Sequence, residues 1–178
     1  MRLGVLSPQT NNDDRGDRLV LAPAPSSGRY AQMTPAQDML VQDTFPVIRS
    51  MAGPLATLFY GRLFASAPEL RPLFKGDIRV QGQKLMDMMQ ACVDSLGRLD
   101  ELRPQLRELG RRHTGYGTRA EHYPIVGKAL LWSLGQALES RFDPETKQAW
   151  AALLDEICTE MQAGADMPPP PGEFLPGA

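Results

Sequence analysis

Between Thr34 and Met161 apolar residues recur at the three- and four-residue spacing of a helix in almost every segment, and nowhere does apolar–polar alternation last long enough for a strand. That regularity restricts the chain to an all-α fold. With 178 residues, 42% of them hydrophobic, there is material for one well-packed core and too little for two ordinary enzyme domains. Helix punctuation divides the block. Thr34-Pro35 pairs a capping hydroxyl with a proline at the first helical position, which predicts a helix to about Ser50 that Pro46 kinks or loosens in its last turn. A second helix is expected from Gly53-Pro54 to about Ser66, and a short helix or turn from Pro68 that carries Leu70, Leu73 and Phe74. A longer one follows from about Ile78 to Leu96, with Gln81, Leu85, Met88 and Cys92 on one face. Pro104 is expected to open the next helix, and Gly115 and Gly117 to close it. The last two run from about Arg119 to Glu139, lined by Tyr123, Val126, Leu130 and Leu134, and onward from Asp143-Pro144, lined by Trp150, Leu153, Leu154, Ile157 and Met161. Six or seven helices with short connections result, and parallel bundles and packings of steeply crossed helices both satisfy the pattern.

The flanks read differently. Residues 1–33 mix Asn11-Asn12, Asp13-Asp14, Pro23, Pro25 and Ser26-Ser27-Gly28 without periodicity, so they are expected to form a disordered N-terminal arm. Residues 167–178 contain Pro168 to Pro171 in a row and are expected to form an extended Pro-rich tail, which leaves residues 34–166 as the folded domain. A formal net charge of -2 with no Lys/Arg run argues against nucleic acid or an anionic membrane as partner. No segment has the length of a membrane span, and Leu3 to Leu6 is no secretory core, so the expected location is the cytoplasm. Cys92 and Cys158 each stand alone in an apolar helical pattern and are expected to be buried thiols.

One stretch carries more than packing information. In Leu99 to Gly117 the stripe Leu99, Leu102, Leu106, Leu109 is continued not by a fifth leucine but by His113. A histidine at that place is a satisfied core residue, a surface residue on a frayed turn, or a metal ligand through its neutral imidazole.

Five motifs in order then favour the ligand: FYGRLF at Phe59 to Phe64, APELRPLF at Ala67 to Phe74, Gln81 with Leu85, GRRHTGYG at Gly110 to Gly117, and HYPIVG at His122 to Gly127. Together they resemble the globins, most closely bacterial single-domain haemoglobins and the haem domains of flavohaemoglobins. The likeness covers about Thr34 to Met161. It implies a globin fold around a pocket for haem b (iron protoporphyrin IX), with His113 as the proximal iron ligand. Phe74 matches the phenylalanine against the porphyrin face, Tyr60 and Gln81 the distal pair, and Leu85 the apolar residue over the iron. Met88, Leu106, Leu109, Thr118 and Val126 are implied to line the cofactor, and Lys84 to stand near a propionate. His122, the only other histidine, is expected at a helix start or on the surface rather than on the iron.

Tyr123 matches a proximal tyrosine that flavohaemoglobins link to a glutamate of the last helix. The chain departs there: counting from Trp150, Ala165 occupies the glutamate's place, Glu160 comes too early and Asp166 one residue late, and Thr118 stands where relatives usually carry valine. The support for a strongly anionic proximal histidine is thereby lost. The resemblance implies reversible binding of O2, with NO and CO as further ligands, in a monomer or homodimer. A second implied activity is nitric oxide dioxygenation. Flavohaemoglobins re-reduce their iron through an attached FAD- and NADH-binding domain, and no dinucleotide fingerprint occurs in this sequence, so a separate reductase would be needed. A gas sensor is a third implied class, for which no transmitter domain is seen.

Overall fold

The structure, a computed structural model, describes residues 33–167. The expected arm and tail therefore lie outside the described residues, Met33 and Met167 excepted. Among the described residues there are six α-helices and no strand: α1 (Pro35–Ser50), α2 (Ala52–Ser66), α3 (Ile78–Asp94), α4 (Leu99–Gly115), α5 (His122–Leu138) and α6 (Pro144–Ala165). Two short 3₁₀ turns, Pro68–Leu73 and Glu139–Arg141, complete the chain order, and none of the helices is long and apolar enough to cross a membrane.

Local chemistry accounts for the helix starts. Thr34 and Gln37 form a reciprocal capping box, in which the Gln37 amide donates to Thr34 Oγ1 and the Thr34 amide to Gln37 Oε1. Asp77 caps α3 by accepting the Arg79 amide at 2.7 Å, and Asp143 caps α6 by accepting the Thr146 amide at 2.7 Å, with Pro144 as its first residue. α1 passes through Pro46 and closes its end in a tighter turn, the Met51 amide donating to Ile48 O at 3.1 Å.

Two expectations are corrected. α4 starts at Leu99 rather than at Pro104, which sits inside it. The buried Leu99 anchors the first turn, Asp100 and Glu101 suit the positive end of the helix, and Arg98–Glu101 and Arg103–Asp100 pairs add to it, so the missing proline amide is tolerated in the second turn. α5 starts at His122 rather than at Arg119, because the His122 ring accepts the Arg119 amide at 3.1 Å and holds the preceding residues as a turn. Of the two cysteines, Cys92 is fully buried as expected and Cys158 only half-buried.

Packing centres on Trp150, which is fully buried, tilts against Phe45 at 6.3 Å and donates its indole N–H to Thr44 Oγ1 at 3.0 Å. That bond ties α6 to α1 and satisfies the one polar atom of the largest core side chain. α4 lies along α6, while α2 packs on α5 and on α3. α3 and α4 are both amphipathic. Gly61, by contrast, is exposed within α2, and a Cβ there would meet nothing within 4 Å. Gly61→Ala is therefore expected to stabilise the fold by about 0.5–1 kcal/mol by restricting the unfolded chain, read as a rise of roughly 2–4 °C in Tm; an unchanged or lower Tm would contradict the open surroundings of that position.

Candidate functional site

His113 sits in the last turn of α4, half-buried. Its Nδ1 lies 2.8 Å from Leu109 O, four residues back. A carbonyl only accepts, so Nδ1 carries the ring proton and Nε2 is left with a bare lone pair, the form in which imidazole binds a metal. Burial, the largest influence, holds the imidazole pKa below its ordinary value, and the Arg112 charge acts in the same direction, so the ring stays neutral at physiological pH. The turn beyond it is built to stop: the amides of Tyr116 and Thr118 both donate to His113 O at 3.0 Å. Gly117 adopts φ +89°, which only glycine takes without strain, and a Cβ there would lie 3.2 Å from Leu73 Cδ2. The end of α4 is thus brought against the end of the Pro68–Leu73 turn, next to Phe74. The Tyr116 ring, mostly exposed, stands edge-on to the histidine at 5.9 Å.

Tyr60 comes from α2 and is buried among aromatics, with ring centroids 4.8 Å from Phe59, 5.9 Å from Phe64 and 5.5 Å from Phe74. Phe64 and Phe74 close the cluster at 5.3 Å. Edge-to-face packing on several sides fixes the phenol ring. Burial pushes the pKa of its hydroxyl up to about 12, so it remains an O–H donor across the physiological range. α3 is set against α2 by Gly82, where a Cβ would come within 2.6 Å of Ala56 Cβ. Ala56 is one helical turn before Tyr60, and Gln81 adjoins Gly82, so this close crossing puts the tyrosine and the glutamine on neighbouring turns of crossing helices.

Leu85 and Met88 on α3, Leu109 on α4, Val126 on α5 and Phe74 are all half-buried apolar residues packed at the margin of the core, whereas Leu106 is fully inside it. Thr118 is half-buried and enters through its amide bond to His113 O. Lys84 is exposed. His122 is buried as the first residue of α5, and its ring accepts the Arg119 amide of the preceding turn, in keeping with the expected helix-start place. Tyr123 is buried and its hydroxyl has no hydrogen-bond partner among the described residues. Burial, with Cys158 and Asp166 adding to it, raises the Tyr123 pKa.

Sequence reasoning missed Glu160. It is fully buried, accepts from Arg107 Nε at 2.7 Å and lies 3.5 Å from Arg103 Nε. The signal was present as Arg103 and Arg107 one turn apart on α4, opposite Glu156 and Glu160 one turn apart on α6.

Residues 57–161 match a family model described as Globin. Curated relatives include a protein named Flavohemoprotein from Bordetella parapertussis, 33% identical over 128 residues that make up 70% of this chain and 32% of that one. Another Flavohemoprotein, from Chromobacterium violaceum, is 36% identical over 115 residues, 63% of this chain and 28% of that one. The chain spans about a third of the length of these relatives. Among solved structures, a bacterial globin from Campylobacter jejuni shares the fold with a TM-score of 0.66 at 24% identity, covering 74% of this chain and 96% of that one.

Proposed function

The chain belongs to the globin family, and from that premise we propose that it holds haem b on His113 and binds O2 reversibly on the side of Tyr60 and Gln81. The observation that carries the reading is the His113 ring, with Nδ1 bound to Leu109 O and Nε2 left as a neutral donor at the half-buried margin between α4 and its neighbours. The donor set fits the cofactor. Among the described residues no three His, Cys, Asp or Glu side chains converge to hold a bare ion, and a single imidazole would suit an iron whose remaining protein-independent ligands a macrocycle supplies. When bound, the haem would supply a ferrous iron that shares charge with O2 and much less with CO.

The protein's own residues do the rest. Leu109 orients the histidine through its carbonyl, and Phe74, Leu85, Met88 and Val126 offer apolar surface to the macrocycle. Tyr60 presents a donor that its aromatic surroundings fix in advance of any ligand, and Gln81, half-buried one position before the Gly82 crossing, is the second donor of this reading. Lys84 is free to meet a propionate at the surface. CO and NO are the other ligands of such a site.

A second reading, implied by the resemblance to flavohaemoglobins, is nitric oxide dioxygenation, in which NO, O2 and one electron give nitrate. The electron would come from a separate reductase. The test is to load the purified protein with haemin, reduce it, and cycle it between air and argon. A spectrum that returns over repeated cycles supports reversible O2 binding, and loss to the ferric form in the first cycle contradicts it. Adding NO to the air-equilibrated sample, then lysate with NADH, separates the readings: nitrate formed over many turnovers marks the dioxygenase, and a single turnover the O2 binder.

A further inference from the structure

α4 and α6 approach more closely than side chains allow. A Cβ at Gly110 would lie 1.8 Å from Met161 O, and one at Gly164 would lie 1.9 Å from Arg107 O. Both glycines are therefore required by backbone-to-backbone contact. Beside this crossing lies Glu160, with none of its side chain exposed, bound to Arg107 at 2.7 Å and paired with Arg103 at 3.5 Å. Arg103 reaches on to Glu156 at 3.6 Å and to Asp100 at 2.9 Å.

Arg103 and Arg107 reach from the half-exposed side of α4 to a fully buried carboxylate, and an ion pair whose carboxylate is desolvated is a poor source of net stability, since desolvation offsets most of the attraction. What it specifies is register. Arg103 and Arg107 are one turn apart on a single face of α4 and share one carboxylate. A slip of one turn, about 5.4 Å, would leave that carboxylate facing one guanidinium or none. The two glycines fix the separation and rotation of the same pair of helices. His113 is three residues past Gly110, about 4.5 Å along the axis, so the turn carrying the imidazole has little freedom to move once the crossing is set.

We propose that Glu160 is a positioning residue for His113: with Arg103, Arg107 and the Gly110–Gly164 crossing, it sets where the histidine-bearing turn of α4 rests on α6. The proposal rests on His113 as the haem ligand, and its test has one arm that does not. In the haem-free full chain, Glu160→Gln raises hydrogen exchange about tenfold or more in peptides covering Leu109–Gly115, while peptides from α2 and α5 keep wild-type rates. In the reduced, haem-loaded protein the same variant shifts or broadens the iron–histidine stretching band, and Glu145→Gln, in the exposed first turn of α6, leaves it in place. Exchange that rises equally throughout the chain, or nowhere, overturns the proposal, as does an unmoved band with haem bound. If wild type takes up no haemin, the haem reading fails and the exchange arm alone decides whether Glu160 holds the turn. Arg107→Lys, which keeps the charge and loses the planar fork, is expected to give the same local signature if Glu160→Gln does not fold.

Discussion

Replacing Tyr60 with phenylalanine is expected to speed O2 release from the haem-loaded protein by about tenfold or more and to leave CO release nearly unchanged. The ring stays where it is, since Phe59, Phe64 and Phe74 contact its faces and edges rather than its hydroxyl. Only the O–H is lost. With a pKa pushed up to about 12 by burial, that group is a donor at every working pH. A hydrogen bond to a charge-bearing acceptor stabilises by roughly 1 to 3 kcal/mol, and about 1.4 kcal/mol is a factor of ten. Flash photolysis or rapid mixing reads both gases on one sample. Equal acceleration of O2 and CO would point to a loosened pocket, and an unchanged O2 rate would remove Tyr60 from the site.

The second large effect concerns the support of the site. Gly164→Ala places a methyl group 1.9 Å from Arg107 O, a contact that no side-chain rotation relieves because the obstacle is backbone. α4 and α6 have to separate, and overpacking of this kind costs about 1–3 kcal/mol or more, which is roughly 3–10 °C in Tm for a chain of this size. The direction is opposite to that of Gly61→Ala, although alanine is the better helix former at both places. Circular dichroism melts of the two variants beside wild type provide the measurement. A Gly164→Ala protein as stable as wild type would mean that the two helices have room the structure does not show.

The helical skeleton was legible because it is written in short-range terms. Thr34-Pro35 and Asp143-Pro144 start helices by bonds spanning three residues, and the stripe from Leu99 to His113 is continuous in the structure as it is in the chain. Pro104 misled because its local cost is offset by a buried leucine and ion pairs in the turn before it. Tyr60 and Phe74 were chosen on the resemblance, and the structure brings their rings into contact. Glu160 and Gly164 escaped because their meaning is wholly tertiary. On α6 alone, Glu160 is one more charged helix residue and Gly164 looks like an approaching helix end. Only the face of α4 shows one to be a buried ion-pair partner and the other a backbone contact.

The central claim is that His113 carries a haem. An absorption spectrum of the purified wild-type chain loaded with haemin, taken as the ferric form, after reduction, and after reduction with CO, tests it beside the same series for His113→Ala. The account predicts a strong Soret band in wild type that shifts on reduction and again on adding CO, and a variant that fails to retain the pigment through desalting. A wild type that passes through the column colourless, or a variant whose spectra match it at every step, would contradict it.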